Sequence, residues 1–190
     1  MDLSFNNSNA PQKGKILISE PFLDDDYFGR SVVLLCEHNE EGSFGFVLNN
    51  YIDLDLRDVA QNFPDIETKI GIGGPVETDN IYFIHTRPDL LEDSREVAQG
   101  IYIGGSYSKL LHLLETGEMN NKHVRFFLGY SGWSPFQLEE ELEINSWLVT
   151  DIQSKDIMDF TSDNLWSKYL KKQGKKYAVM TSFPLNPQDN

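Results

Sequence analysis

The sequence predicts an α+β fold in which helices flank a mixed, largely antiparallel sheet. Short apolar runs rich in β-branched and aromatic residues alternate with stretches whose apolar positions recur at helical spacing. Several neighbouring apolar runs are separated by fewer residues than the roughly dozen that a helical crossover between parallel strands needs. Antiparallel or mixed pairing is therefore favoured over the strict strand–helix–strand alternation of a doubly wound fold.

The strands are predicted from runs of Ile, Leu, Val, Tyr and Phe that are bounded by turn residues. The strongest run covers residues 31–37, and a polar turn separates it from the run at 44–49, which predicts an antiparallel hairpin. In chain order, the predicted strands cover residues 15–19, 31–37, 44–49, 70–73, 80–85, 97–104, 124–129 and 144–149.

The helices are predicted from amphipathic spacing and from residues that favour helix ends. Pro64 ends the first helix, Ser106 caps the second and Gly174 terminates the last. Ser134 and Gln137 have the spacing of a capping box. The predicted helices cover residues 55–63, a segment after Ser106 whose apolar face includes Leu110 and Leu114, and residues 134–141, 155–160 and 162–173.

The length of 190 residues fits one domain whose core is large enough to fold without disulfides or a structural metal. Residues 1–13 are polar and rich in Asn and Ser, so we expect a disordered tail followed by a single domain over residues 14–190. The segment 177–190 contains Pro184 and Pro187 and is expected to pack as an irregular strap.

The composition of the chain indicates the cellular compartment and the kind of binding partner to expect. The polar N-terminus lacks the features of a signal peptide, and Cys36, the only cysteine, excludes an intramolecular disulfide, so we expect a cytoplasmic protein. The net charge of −14 repels phosphate backbones and anionic membranes. We therefore expect a small molecule or a protein as partner, and neither direct nucleic-acid binding nor membrane binding. The sequence does not set an oligomeric state.

The motifs of known chemistry are not found in the sequence. No histidine is paired with another His or Cys at the spacing of a zinc site, although Cys36 and His38 lie two apart and are expected on one face of a strand. Gly73-Gly74 lacks the helix and lysine of a phosphate loop, and Ser131 lacks the first glycine of a nucleophile elbow. We therefore predict no catalytic residue, no cofactor and no metal.

Polar residues flank the two strongest strand runs and form the candidate site. Arg30 and Ser31 precede the apolar core of the first run, Glu37 and His38 follow it, and Asn49 ends the second run. If the two strands pair, some of these side chains converge near the sheet ends. Such residues serve either an internal hydrogen-bond network or the lining of a cleft, and both interpretations stay open.

The same segments resemble the YqgE/AlgH family. The resemblance runs in order from about residue 14 to the end of the chain and rests on motifs that are weak singly and specific together. These motifs lie at residues 14–18, 28–33, 37–39, 45–49, 73–76, 129–133, 137–139, 165–166 and 184–187, and at His85 and Trp147. The chain departs from the family pattern at Asn50 and Tyr51, where members commonly have Arg and Pro, and at Ser131 and Phe136, where members commonly have Ala and Gly.

The resemblance implies a bent sheet closed into a pseudo-barrel and flanked by helices. Members are bacterial proteins often labelled as transcriptional regulators without an agreed biochemical activity. Its motifs add Gly73, Gly74, His85 and Trp133 to the candidate ligand-binding residues.

Two functional hypotheses follow. The first is a non-enzymatic cytosolic binding or regulatory module with a pocket formed by the candidate residues. The second is an enzyme whose active site involves Cys36, Glu37 and His38, with His38 and Glu37 as acid–base groups or Cys36 as a nucleophile. The second requires His38 to lie in a cleft within about 3 Å of a carboxylate or thiol.

Overall fold

The computed structural model describes residue 5 and residues 7–184. The strands are β1 (Ile16–Ser19), β2 (Val32–Asn39), β3 (Gly42–Val47), β4 (Tyr51–Ile52), β5 (Ile70–Ile72), β6 (Val76–His85), β7 (Ser94–Ala98), β8 (Ile101–Gly104), β9 (Val124–Trp133) and β10 (Trp147–Thr150). The helices are α1 (Leu56–Val59), α2 (Tyr107–Glu115), α3 (Gln137–Glu143), α4 (Ser154–Met158), α5 (Leu165–Lys172) and α6 (Lys175–Met180).

The strands form one 10-stranded mixed sheet, with the main path β10-β1-β2-β3-β9-β6-β8-β7. The predicted hairpin is β2–β3. β5 pairs in parallel with β9 and antiparallel with β4, while the ladders of the main path are antiparallel. The α+β class and the largely antiparallel sheet predicted from the sequence are therefore confirmed.

The sheet curls into a half-barrel that brings its β7 edge beside β2. The Lys13 ammonium donates a hydrogen bond to the Glu96 carbonyl at 3.2 Å, and the Arg95 guanidinium lies 2.9 Å from the Glu37 carboxylate. The concave face holds the largest apolar cluster, which α5 and α6 cover. Its members include Ile16, Leu34, Cys36, Phe46, Phe127, Val97, Trp166, Tyr169 and Met180.

Smaller clusters lie on the convex side of the sheet. Leu17, Leu35 and Val47 point away from the concave cluster and pack with Leu138 of α3. Strands β5, β6 and β9 carry a second convex cluster in which Phe126 packs with Leu110 of α2. The alternation of side chains along β2 and β9 thus separates the concave core from the convex ones.

Several predicted boundaries change. The predicted strand at 97–104 is a hairpin of β7 and β8, and the predicted helix at 55–63 is the single turn α1, since its residues after Val59 are not helical. Gly174 separates α5 from α6, so part of the expected strap is helical. Residues 185–190, with the end of the terminal motif, lie outside the described residues.

Residues before β1 contact the sheet. Phe5 is buried in the concave cluster. The side-chain amide of Asn7 donates to the Trp147 carbonyl at 2.9 Å and accepts from the Val149 N–H at 2.8 Å. These are backbone groups of β10 that a neighbouring strand would otherwise bond. The expectation of a disordered tail does not anticipate these contacts. The other predicted tail residues, 1–4 and 6, lie outside the described ones.

Candidate functional site

A β-bulge in β2 decides which side chains reach the candidate site. Leu35 lies opposite Gly45 of β3, but the next paired residue is Glu37, opposite Phe44, so Cys36 is the extra residue. The bulge places both Cys36 and Glu37 on the concave side and turns His38 to the convex side, opposite Ser43. The expectation that Cys36 and His38 share one face is therefore wrong.

Cys36 is a buried core residue. Its side chain has no exposed surface, and its thiol donates weakly to the Leu34 carbonyl at 3.8 Å. Burial raises the pKa of the Cys36 thiol to about 12. Because the thiolate is the reactive form, this thiol is not an activated nucleophile.

His38 bridges β3 and α3 on the convex side. Its Nδ1 lies 2.7 Å from the Ser43 hydroxyl, and its Nε2 lies 3.6 Å from a carboxylate oxygen of Glu139. The carboxylate is thus farther than the distance of about 3 Å that the enzyme hypothesis requires. The structure instead aligns Ser43, His38 and Glu139, an arrangement that the sequence analysis did not predict.

Glu37 lines an open groove at the end of the half-barrel. The cavity has a volume of about 550 Å³ and is bounded by the end of β2, the β3 hairpin turn and the strands β6 and β9. We call it the acidic–aromatic groove, after the residues that give it its chemistry: Glu37, Glu41, Phe44, Val76, Tyr130 and Gly132.

Aromatic rings form the wall of the acidic–aromatic groove. Phe44 and Tyr130 meet edge to face with ring centroids 6.1 Å apart, and Tyr130 meets Tyr82 in the same way at 5.6 Å. The Tyr82 hydroxyl donates a hydrogen bond to the Glu77 carboxylate. This bond lowers the pKa of Glu77, so the carboxylate is held in its charged form beside the rings.

Arg95 completes the surroundings of Glu37. Its guanidinium nitrogen lies 2.9 Å from the Glu37 carboxylate, and its Cζ lies 5.6 Å from the Phe44 ring centroid. Both charged side chains stay accessible, with 52% of Arg95 and 39% of Glu37 exposed. An exposed ion pair of this kind contributes little to stability and exchanges readily with other partners.

Trp133 borders the groove but its indole has a structural role. The side chain is buried, and its Nε1 donates to the Glu141 carboxylate at 2.9 Å. The Trp147 indole donates to the same carboxylate oxygen at 2.7 Å. One carboxylate of α3 thereby joins the ends of β9 and β10.

The Gly73-Gly74 turn is a packing element. The Gly73 carbonyl accepts from the Val47 N–H and from the Ser131 hydroxyl, each at 2.9 Å. A Cβ atom on Gly74, which has φ of +152°, would lie 2.4 Å from the Ser131 oxygen. Close approach of two backbones therefore explains the glycines, and ligand contact is not needed for that explanation.

Arg30, Ser31 and Asn49 form a hydrogen-bonded network at the start of β2, in which the Ser31 hydroxyl is buried without a partner among the described residues. The Asn49 side chain accepts from the Val32 N–H at 2.8 Å and donates to the Arg30 carbonyl at 2.9 Å. The Ser31 N–H donates to the Ser19 hydroxyl at 2.8 Å.

The Arg30 guanidinium joins this network to the C-terminal segment. It donates to the Pro184 carbonyl at 3.0 Å and to the Phe183 carbonyl, and it lies 5.1 Å from the Trp166 ring centroid. Its Nη2 is directed at carbonyls of the chain itself, while its Nε is buried without a hydrogen-bond partner among the described residues, so the contacts of Arg30 at this end of β2 are structural.

His85 lies apart from both ends of β2. It ends β6, whereas the groove lies beside Val76 at the start of that strand. The ring is fully buried, stacks on Tyr102 and accepts from the Arg87 N–H at 3.2 Å. Burial lowers the pKa of His85, which favours its neutral form. The predicted site residues are thus not one pocket.

Arg125, which is fully buried in β9, was not predicted as a site residue from the sequence. Its guanidinium donates to the Leu48 carbonyl, to the Ile157 carbonyl at 2.5 Å and to the Tyr51 hydroxyl at 2.8 Å. Tyr51 is one of the departures from the family pattern. A basic residue inside a strongly apolar strand run was the available signal, and its partners assign it a structural role.

Comparison with known proteins shows the family of this chain. The AlgH-like family model matches residues 16–178. The chain belongs to the AlgH-like family. A UPF0301 protein of Cytophaga hutchinsonii is 43% identical over 180 residues, which cover 94% of this chain and 98% of the relative. One from Bacteroides thetaiotaomicron is 39% identical over 185 residues, which cover 97% of this chain and 94% of the relative.

Solved structures agree with the fold. The solution structure of the AlgH protein from Pseudomonas aeruginosa superimposes with a TM-score of 0.71 at 28% identity and covers 95% of this chain and 98% of that one. The crystal structure of a Corynebacterium diphtheriae protein gives a TM-score of 0.78 at 21% identity, over 94% and 95% of the two chains, and shows the fold alone. The names of these relatives and structures state no reaction or ligand.

Over residue 5 and residues 7–184, no group of three or more His, Cys, Asp and Glu side chains has the geometry to hold a metal ion. In the same part of the chain, no helix combines the length and the apolar character that a bilayer crossing needs.

Proposed function

We propose that this protein is a non-enzymatic cytosolic binding or regulatory module whose ligand or partner binds in the acidic–aromatic groove. The observation that carries the proposal is the setting of Glu37. Its carboxylate is exposed beside the Phe44 ring in a cavity of about 550 Å³, whereas Arg30 and Asn49 bond to groups of the chain itself. Grooves that combine apolar walls with a few charged groups are the usual sites of recognition.

The charge of the chain limits the kind of regulation that we propose. With a net charge of −14, the protein repels DNA, and none of the groove residues Glu37, Glu41 or Phe44 is basic. Any influence on transcription would therefore pass through a bound ligand or protein. A buried, reduced Cys36 is compatible with the reducing cytosol.

A groove-blocking substitution tests the proposal. A Cβ atom on Gly132 would lie 3.4 Å from the Tyr130 ring and 3.8 Å from Val76, two residues of the groove wall, and Gly132 does not have a positive φ. Gly132→Leu therefore fills the groove without backbone strain. Glu115→Leu, on the exposed side of α2, adds the same side chain far from it.

The measurement is affinity purification of each variant from its host, followed by mass spectrometry of bound metabolites and proteins. We expect a molecule that co-purifies with the wild type and with Glu115→Leu and is lost from Gly132→Leu, while the melting temperatures stay within a few degrees. If wild type and Gly132→Leu retain the same molecules, the groove is not the binding site.

A second candidate function rests on the Ser43–His38–Glu139 alignment. In an acyl transfer, the Ser43 oxygen would attack a carbonyl carbon while its proton passes to Nδ1 of His38, 2.7 Å away, and His38 would then give this proton to the leaving group as its bond to the carbonyl carbon breaks. Two features weigh against it: Ser43 is only 9% exposed, and it lies inside β3 with paired residues on both sides.

An activity probe separates the two functions. A fluorophosphonate labels activated serines, and we expect it to leave the wild-type protein unlabelled. Labelling that disappears in both Ser43→Ala and His38→Ala would instead establish a hydrolytic site and contradict the non-enzymatic proposal.

A further inference from the structure

We infer that the acidic–aromatic groove binds arginine side chains on a basic segment of a partner protein. The inference deepens the proposed function and rests on it, because it names the chemistry of what the same groove receives. It is carried by the contacts of Arg95, by the rings and carboxylates around the groove, and by the charge of the whole chain.

Arg95 shows how a guanidinium is held at this site. Its Cζ lies over the Phe44 ring, 5.6 Å from the ring centroid, and a guanidinium nitrogen lies 2.9 Å from the Glu37 carboxylate. A guanidinium that lies over a ring and forms an ion pair with a carboxylate is an arrangement in which arginine is preferred over lysine. The protein's own side chain thus occupies a guanidinium site of mixed aromatic and acidic character.

The groove offers more of the same chemistry than Arg95 uses. Tyr130 presents a further ring beside Phe44, and Glu41 contributes a carboxylate at the hairpin turn. Glu77 follows Val76 of the groove wall, is exposed, and its carboxylate accepts from the Tyr82 hydroxyl. Rings flanked by carboxylates attract cations through both the ring quadrupole and the formal charge.

Several features favour a protein segment over a small cation. The groove is open to solvent, whereas sites for small molecules bury most of the ligand surface. The exposed carboxylates of Glu41 and Glu77 lie on separate elements, the β2–β3 turn and strand β6, and so offer separate contacts to an extended segment. The net charge of −14 also steers a basic segment toward the protein over long distances.

Arg95 is then an internal competitor. A partner arginine must displace it from Glu37 and Phe44, and 52% of the Arg95 side chain is exposed, so the exchange needs no opening of the core. Replacing Arg95 by glutamine removes the competing charge and leaves Glu37 with the Asn39 side-chain amide, which donates to it at 2.9 Å. We expect the variant to bind a basic peptide about twofold to fivefold more tightly, since an exposed ion pair is worth up to about 1 kcal/mol.

The test is a titration of the full-length protein, followed by amide chemical shifts. The probe is an acetylated and amidated peptide of three Gly-Ser-Arg repeats. Its matched control carries citrulline in place of each arginine, which keeps the shape and removes the charge. N-acetyl-arginine amide represents a single small cation. We expect saturable shifts with the arginine peptide, none with the citrulline peptide, and about tenfold or weaker binding of the single arginine.

Substitutions of groove residues test whether the arginine peptide binds in the groove. Glu37→Gln should weaken peptide binding about tenfold and Phe44→Leu about threefold, as expected for a charged hydrogen bond and for an exposed cation–π contact. Glu118→Gln, an equal change of charge on an exposed residue after α2, should change it less than twofold.

Three results would overturn the inference: weaker binding by Arg95→Gln, equal binding of the citrulline peptide, or equal affinity for the peptide and N-acetyl-arginine amide. The experiments distinguish a failure of this inference from a failure of the proposed function. If Gly132→Leu loses a co-purifying molecule but the arginine peptide does not bind, the groove is a binding site of another chemistry. If Gly132→Leu changes nothing and the peptide does not bind, both are wrong.

Discussion

The two ends of β2 carry polar residues that look alike in the sequence and differ in the structure. At the start, Arg30 and Asn49 bond to backbone groups of neighbouring segments. At the finish, Glu37 pairs with the exposed side chain of Arg95 beside the open groove. Each end has an arginine over an aromatic ring, Trp166 at the start and Phe44 at the finish.

The difference lies in what the polar groups are bonded to. Backbone carbonyls and N–H groups in a buried region have no alternative partner, so a side chain that satisfies them is fixed in place. An exposed carboxylate paired with an exposed guanidinium can exchange its partner at little cost. Polar residues at the ends of a buried strand are therefore structural in the first setting and available for recognition in the second.

The largest expected effect concerns Cys36, which lies between the two ends at the bulge. Because burial raises the pKa of the Cys36 thiol from 9.0 to about 12, the thiolate fraction at pH 8 falls about a thousandfold on folding. We expect a disulfide reagent such as Ellman's reagent to react at least that much more slowly with the native protein than with protein unfolded in guanidinium chloride. Native and unfolded rates within tenfold of each other would contradict a closed concave core at the bulge.

The next effect compares asparagines at the two ends. Asn49→Ala leaves the Val32 N–H and the Arg30 carbonyl without their partner, and we expect it to lower the free energy of unfolding by about 2–4 kcal/mol. Asn39→Ala, at the exposed end of β2, loses bonds to the Glu37 carboxylate and the Glu41 N–H that water can replace, and should lower it by less than about 1 kcal/mol. Denaturant unfolding measures both, and equal losses would remove the distinction between the ends.

The two arginines give a matched pair with a smaller effect. Arg30→Gln loses bonds to the Pro184 and Phe183 carbonyls and the contact with Trp166, and should cost about 1–3 kcal/mol of unfolding free energy. Arg95→Gln loses an exposed ion pair and should cost at most about 1 kcal/mol. A larger loss for Arg95→Gln than for Arg30→Gln would show that Arg95 clasps the half-barrel closed and is not free to exchange.

The smallest effect is expected at His38. Its ring bonds the Ser43 hydroxyl and lies 3.6 Å from Glu139, at the edge of α3. His38→Gln keeps a polar group near Ser43 and should change the unfolding free energy by less than about 1 kcal/mol, without changing peptide binding in the groove. An effect on peptide binding would mean that the convex side belongs to the site.

Much of the fold could be predicted because the strand runs are long and apolar. The hairpin of residues 31–37 and 44–49 was predicted from such runs and is present as β2 and β3. The predicted helix at 55–63 failed beyond one turn, since amphipathic spacing over nine residues does not settle whether tertiary contacts continue the helix.

The candidate site could be predicted only in part. Residues 32–36 are uniformly apolar, so the sequence sets no alternation phase and gives no sign of a bulge at Cys36; the faces of Glu37 and His38 therefore could not be assigned. The contact of Glu37 with Arg95 joins distant strands through the curl of the sheet, which no local pattern reveals. Glu37, predicted as a candidate binding residue, lines the groove, while Phe44 was interpreted only as a strand residue and Tyr130 only as part of the motif at 129–133.

One titration tests the central claim that the C-terminal end of β2, and not its N-terminal end, is the site of recognition. Amide chemical shifts of the full-length protein are followed as the arginine peptide is added. We predict saturable shifts at Glu37, Phe44 and Gly132, with Arg30 and Asn49 unchanged. Shifts concentrated at Arg30 and Asn49, or no saturable shift anywhere, would contradict the account.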